Sequence, residues 1–175
     1  MDITLGVTYS DASFEDNLIG DDTGAPLDPA LRLLPGDNLS NAPEIVATSS
    51  LTWTPPIGDS GLEGLVFVNA RMAGDYNTGS DLLPYKHQDA FTVVNGRVSI
   101  GAEDERWTVD VWAQNLFEEK YTQVGFAAPL QGTAFTNTTT PQADGTYYNI
   151  ATDTATYNAY LGAPRTYGVT LKVKY

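Results

Sequence analysis

The chain has 175 residues, enough for one domain or one piece of a larger one, and its 42% apolar content argues against wholesale disorder. A net charge of −13 argues against nucleic acid, whose binding depends on basic patches, and the absence of cysteine removes disulfide frameworks and thiolate metal sites. Continuous apolar runs reach only about four residues, as at Leu65 to Val68, where a transmembrane helix needs roughly 20.

Met1-Asp2-Ile3-Thr4 opens a strand pattern instead of the basic start and apolar stretch of a secretory signal, so an export signal, if the protein has one, lies outside this sequence. Ile3, Leu5, Val7 and Tyr9 alternate with Thr4, Gly6, Thr8 and Ser10, which predicts a strand through about Phe14. Glu15 to Ala42 is rich in Asp, Gly and Pro and reads as a loop. Glu44 to Thr54 is a second strand, with Ile45, Ala47, Leu51 and Trp53 on one face and Thr48, Ser50, Thr52 and Thr54 on the other. Pro55 to Gly61 is a short turn-forming connection. Leu62 to about Asp75 is a third strand with a blurred alternation, and Tyr76 to Gln88 is a medium loop. Asp89 to Gly101 is a fourth strand, with Val94, Val98 and Ile100 opposite Asn95, Arg97 and Ser99. Glu103-Asp104-Glu105 turns into a fifth strand, where Trp107, Val109, Val111 and Ala113 alternate with Thr108, Asp110, Trp112 and Gln114. Glu118 to Ala163 is a long loop, and the chain closes on a sixth strand. There Tyr167, Val169, Leu171, Val173 and Tyr175 alternate with Gly168, Thr170, Lys172 and Lys174. The fold class is therefore all-β, an antiparallel up-and-down meander of about six long strands.

The connections run long, short, medium, short, long. Short turns at one rim and long loops at the other are the arrangement of outer-membrane barrels, and strands of about this length suit a tilted crossing of the bilayer. The oily faces would meet lipid and the polar faces a lumen. Such barrels carry aromatic belts at both interfaces. Trp53, Trp107 and Tyr175 share the lipid-face parity at the short-turn rim. At the other rim Tyr9, Phe117 and Tyr167 fit, whereas Phe14 and Phe91 would point inward unless a bulge intervenes. Six strands cannot close a membrane barrel, for which about eight is the usual minimum. The expectation is a piece of a larger barrel or a subunit that closes by association.

Trp107-Thr-Val-Asp-Val-Trp-Ala-Gln-Asn115-Leu116-Phe117-Glu-Glu-Lys-Tyr121, a variable loop, and then Gly162-Ala163-Pro164-Arg165-Thr166-Tyr167-Gly168-Val169-Thr170-Leu171 resemble the C-terminal end of TonB-dependent outer-membrane receptors. Gly36-Asp37-x-Leu39-x-Asn41-Ala42-Pro43 is a looser match to the same family. The resemblance covers about a third of the chain, and the strand rhythm agrees over the rest. It implies that residues 1–175 are the last six strands of a 22-stranded barrel, in the cell outer membrane, with short turns in the periplasm and long loops outside. It implies uptake of a scarce ligand such as a ferric siderophore, cobalamin or a glycan, energised by the TonB complex through a plug domain and a TonB-contacting segment that this sequence lacks. The strand Tyr167, Val169, Leu171, Val173, Tyr175 would then be read by the barrel-assembly machinery. The family signal places Gly five residues before the final aromatic, where this chain has Thr170; the nearest glycine is Gly168.

Other residues have plainer readings beside the functional ones. Asp21-Asp22-Thr23-Gly24 does not follow the spaced EF-hand pattern, so a solvated acidic loop is the default over a Ca²⁺ site. His87 is the single histidine, which excludes a triad or a multi-His metal site within this chain and leaves a surface loop residue. Asn38-Leu39-Ser40 and Asn137-Thr138-Thr139 match glycosylation sequons of the kind that arise by chance. Tyr147, Tyr148, Tyr157 and Tyr160 in the last loop are candidates for stacking on a ligand, against the plainer reading that they pack the loop on itself. Arg97, Lys172 and Lys174 face the lumen by parity, where they are solvated or meet plug carboxylates or an anionic ligand; Arg165 sits structurally at the outer end of the sixth strand. No cofactor, metal or catalytic cluster is indicated.

A transport protein is thus the leading reading. The alternative is a soluble all-β carbohydrate-binding or adhesive module, with its oily faces packed as a sandwich. The two differ in burial: one sheet with an uncovered apolar face, or two sheets covering each other. In a barrel the terminal strand pairs with the first strand, so Arg165 to Tyr175 is the edge of this chain most prone to misassociation. Hydrogen exchange on the isolated chain tests this; strong protection of Val169 to Val173 in a monomer, beyond what one neighbouring strand gives, would overturn it.

Overall fold

A computed structural model of the chain describes residues 1–16, 33–127 and 157–174. Six long strands are β1 (Asp2–Tyr9), β2 (Ile45–Trp53), β3 (Leu62–Ala73), β6 (Phe91–Ala102), β7 (Trp107–Gln114) and β10 (Thr166–Val173). They form one antiparallel sheet in the order β1-β2-β3-β6-β7-β10, with β1 and β10 at its edges. Four short strands make two separate ribbons, β4 (Tyr76–Asn77) with β5 (His87–Gln88), and β8 (Thr122–Ala127) with β9 (Tyr157–Leu161).

Side chains alternate along each strand, so the five ladders decide which residues share a face. One row reads Trp53, Val66, Val98, Val111 and Val169 across neighbouring strands. Carried along every strand, this face holds Ile3, Leu5, Val7 and Tyr9 of β1, Ile45, Ala47, Leu51 and Trp53 of β2, and Val66, Val68, Ala70 and Met72 of β3. It continues through Val94, Val98 and Ile100 of β6, Trp107, Val109, Val111 and Ala113 of β7, and Tyr167, Val169, Leu171 and Val173 of β10. Its polar groups are the hydroxyls of Ser49 and Thr92 with the aromatic tips of Tyr9, Trp53, Trp107 and Tyr167, and it carries no charged residue. It is also uncovered: Leu5 and Val7 are 76% exposed and Tyr167 79%. The charged strand residues, Asp2, Glu63, Arg71, Arg97, Asp110 and Lys172, all fall on the opposite, polar face. The blurred alternation of the third strand resolves here, since Leu65 and Phe67 belong to the polar face and Val66 and Val68 to the apolar one.

Burial concentrates on the polar face and at its long-loop rim. Phe91, Ser99 and Asp110 are buried, and so are Leu34, Ala73, Thr78, Leu82, Leu83, Lys86 and Asn115. Three expectations need correction. The first strand ends at Tyr9, because from Ser10 the chain leaves regular pairing; it stays beside the approach to β2 through single bonds such as Ser10 N–H to Glu44 O and the Ser13–Asn38 bridge. Tyr76 to Gln88 is the β4–β5 ribbon with a 3₁₀ turn over Pro84–Lys86. The stretch Glu118 to Ala163 contains the β8–β9 ribbon, so Tyr157 and Tyr160 lie on a strand.

At the short-turn rim the end of β10 is tied to the turn before β7. Lys174 N–H bonds Arg106 O at 2.8 Å, and the Lys174 ammonium donates to the Glu105 carboxylate. That hydrogen bond, with the ammonium charge, holds the Glu105 carboxyl below its usual range. A depressed carboxyl stabilises the fold above its unfolded value and loses that contribution as the pH falls through the folded one. The pair is fully exposed, so its effect is local and screened by salt. Lowering the pH from neutral through the range where Glu105 protonates is expected to reduce the protection factor of the Lys174 amide, its exchange taken relative to the unstructured rate at each pH, and to leave that of Val111 unchanged; Glu105→Gln removes that pH dependence.

Candidate functional site

The long-loop rim is where the polar face, both ribbons and the motif residues meet. Asn115 ends β7 with φ +48, a left-handed conformation that asparagine tolerates better than most residues. It is 3% exposed and its side chain is fully used. Nδ2 donates to Glu119 O at 2.8 Å and to Ala163 O at 2.9 Å, and Oδ1 accepts Glu119 N–H at 2.8 Å. Its own N–H donates to Asn95 Oδ1 of β6 at 2.9 Å. One side chain therefore joins the exit from β7 to the entry into β10.

Tyr121 completes the neck. Its ring stacks on Phe91 at 4.1 Å between centroids, and its carbonyl accepts Gly162 N–H at 2.8 Å. A Cβ on Gly162 would come 2.2 Å from the Tyr121 ring, so the position has room only for glycine. Arg165 Nη2 lies 3.2 Å from Glu118 Oε2, which fits the structural place expected for it. Gly168 answers to the same logic: a Cβ there would come 2.6 Å from the Trp112 indole, whose Nε1–H donates to Thr170 Oγ1 at 3.1 Å. The two stretches that carry the resemblance thus touch through Asn115 and Ala163, Tyr121 and Gly162, Glu118 and Arg165, and Trp112 with Gly168 and Thr170.

The two ribbons dock on each other through main chain. Gly125 N–H donates to Thr78 O at 3.0 Å, while Thr78 N–H donates to Lys86 O at 2.9 Å. Gly79 and Gly125 permit the approach, since a Cβ on either would fall within 3 Å of Lys86 or Thr78 side-chain atoms. Lys86 is buried, which requires a partner for its charge, and Asp81 supplies one at 2.6 Å. Thr122 is gripped from both sides, by Gln88 Oε1 accepting its N–H at 2.7 Å and by Tyr76 Oη donating to its carbonyl at 3.2 Å. Burial raises the Tyr76 phenol above its usual value, so it remains a donor at neutral pH.

The sequence-derived candidates distribute as follows. Trp53 and Trp107 stand on the apolar face at the short-turn rim, in β2 and β7; Tyr175 lies outside the described residues. Tyr9 and Tyr167 stand on that face at the opposite rim. Phe91 points to the polar face, as parity required, and is part of the rim core instead of a belt. Tyr167, Val169, Leu171 and Val173 form the apolar side of β10. Tyr157 packs 5.5 Å from Tyr85, and Tyr160, largely exposed, pairs with Phe126 at 5.7 Å. Tyr147 and Tyr148 lie outside the described residues, as do Asp21 to Gly24 and the sequon at Asn137. His87 Nε2 is 3.7 Å from both Asp75 and Asp89, and no metal-binding group of three or more ligating residues occurs among the described residues. Lys172, expected to be solvated, pairs with Asp110 at 3.3 Å, and Lys174 with Glu105.

Comparison with known proteins adds one finding of weight. No family model and no curated protein matches the chain. Among solved structures, the ferric yersiniabactin uptake receptor FyuA from Yersinia pestis is similar, with a TM-score of 0.51 over 75% of this chain and 15% identity. The sheet has the fold of part of that receptor. The chain spans 16% of the length of that receptor, and at this identity the likeness is one of fold alone.

The rim geometry makes a specific prediction. Asn115→Asp keeps the acceptor for Glu119 N–H but removes the donors to Glu119 O and Ala163 O. It is expected to cost about 1–3 kcal/mol of stability. Amide exchange should quicken at Gly162 and not at Val111. Unchanged protection of Gly162 would show that the neck holds without Asn115.

Proposed function

We propose that residues 1–175 are a C-terminal segment of a TonB-dependent receptor barrel. The observation that carries this reading is the apolar face. It is continuous over six strands, free of charge and uncovered among the described residues. In water a face of this size is hidden or aggregates; in a bilayer it is the solvated side. The likeness to a β-barrel receptor supports the reading independently. An uncovered face also favours it over the sandwich module, whose oily faces would cover each other.

On this reading the complete barrel has 22 strands, sits in the outer membrane and is inserted by the barrel-assembly machinery through the strand ending at Tyr175. Trp53, Trp107 and Tyr175 form the periplasmic aromatic belt. A plug domain fills the lumen and couples it to the TonB complex. The cargo is a scarce ligand, a ferric siderophore, cobalamin or a glycan. FyuA takes up ferric yersiniabactin, which favours the siderophore class. Tyr157 and Tyr160 are the described candidates for ligand contact at the outer rim; Tyr147 and Tyr148, candidates from the sequence, lie outside the described residues. The six strands alone leave two edges open and do not transport by themselves.

The face assignment is tested by charge. Val111→Arg, in the middle of the apolar face, is expected to destabilise the chain in lipid by about 2–4 kcal/mol. Ser50→Arg, on the polar face, should stay within about 0.5 kcal/mol of the parent. A purified chain that remains monomeric and dispersed without detergent would end the membrane reading.

A further inference from the structure

Lys86 carries a charge that the long-loop rim seals from water. Its side chain is 1% exposed, against 27% for Asp81, whose Oδ2 lies 2.6 Å from Nζ. Among the described residues each is the other's ion-pair partner and neither has a second. The Lys86 stem runs past two glycines, one from each ribbon region: a Cβ on Gly79 would strike its Cδ, and a Cβ on Gly125 of β8 would stand 3.5 Å from its Cγ. Its ammonium lies 5.7 Å from the Tyr85 ring centroid, and that ring packs against Tyr157 of β9. The β8–β9 ribbon is thus part of the cover over Lys86, while the counter-charge comes from the turn that follows β4.

That turn is held by Asp81. Oδ1 accepts Leu83 N–H at 3.4 Å while Oδ2 holds Lys86. Between Asp81 and Leu83, Leu82 has φ +54, a left-handed conformation that strains a leucine. The turn carries the surface on which the other ribbon docks. Thr78 donates to Lys86 O twice, from N–H at 2.9 Å and from Oγ1 at 2.7 Å, and Thr78 O accepts Gly125 N–H at 3.0 Å. With Asp81 ionised, closing β8–β9 over Lys86 covers a pair of balanced charge. With Asp81 neutral, the same closure covers an unpaired ammonium, a cost that one main-chain bond and one ring contact do not offset. Undocking returns that ammonium to water.

We infer that Asp81 and Lys86 form an electrostatic latch between the two ribbons. The β8–β9 ribbon stays docked while the Asp81 charge is present, and comes off the β4–β5 ribbon as one body when that charge is withdrawn, with the sheet intact. The test is amide exchange and ring-to-ring NOEs on the full chain in zwitterionic micelles. Asp81→Asn keeps the shape of the side chain and removes its charge; it is expected to quicken exchange at Gly125 about tenfold or more. The Tyr85–Tyr157 NOE should be lost with it, while the Phe126–Tyr160 NOE within the ribbon and the protection of Val111 in the sheet stay. Lys86→Met removes the cation and keeps an apolar stem, so alone, or added to Asp81→Asn, it should hold Gly125 exchange within about threefold of the parent. That rescue separates a latch of charge from a merely packed turn. Unchanged Gly125 exchange in Asp81→Asn would overturn the inference, as would a double variant that stays as open as Asp81→Asn. Loss of protection at Val111 in proportion to Gly125 would show ribbons and sheet opening together and would overturn it too.

Discussion

Register is the constraint on which this molecule depends. With side chains alternating at period two, a slip of one residue in any ladder exchanges the faces of everything beyond it. A slip of β7 against β6 would carry Asp110 and Trp112 to the apolar side and Val109 and Val111 to the polar side. The cost would be a carboxylate in an environment that holds no charge elsewhere. The polar face fixes the same register from its own side: Ser99 reaches Asp110 only when β6 and β7 are in phase, and Asp110 reaches Lys172 and Trp112 reaches Thr170 only when β7 and β10 are. Two unrelated requirements, apolar continuity on one face and satisfied polar groups on the other, select one alignment.

The rim works differently. Hydrogen bonds of side chain to main chain, not a hydrophobic pattern, place the two ribbons, and the apolar contribution is small: Phe91 against Tyr121 and Tyr76, with Leu82 and Leu83 buried nearby. Glycines at 79, 125 and 162 are each dictated by a neighbour a Cβ would strike. Such a structure is specific without being oily.

That contrast explains what could be read from the sequence. The six long strands and the faces of Val94 to Ile100 followed from alternation, and their antiparallel order from the lengths of the connections. So did the inward direction of Phe91. The short ribbons did not, because two residues of β4 or five of β9 are too few to display a period, and their strand geometry comes from partners distant in sequence. Thr78 is held by Lys86 and Gly125, and Thr122 by Gln88 and Tyr76. The burial of Lys86 and Asn115 was equally hidden, since a polar residue gives no sign of the partner that will satisfy it. The Asn-Leu-Phe-x-x-x-Tyr and Pro-Arg-Thr-Tyr-Gly elements could be recognised as a pattern, but only the structure gives physical content to the stretches that hold them, which is contact between Asn115 and Ala163, between Tyr121 and Gly162 and between Trp112 and Gly168.

The neck at Asn115 also bears on the entropy of chain closure. Pairing β2 with β3 closes a connection of eight residues, whereas pairing β7 with β10 closes one of fifty-one. For flexible loops that difference is worth about 1.6 kcal/mol against the terminal strand. The β8–β9 ribbon lies inside the long connection and takes most of its length out of the ring once Thr122 has met Leu161. Gly162 N–H on Tyr121 O and Asn115 on Ala163 O then draw the two ends together at the point where β10 must begin. The ordering cost of the long connection is thereby divided into steps, each offset by its own bonds. The edge strand begins where that inner hairpin ends.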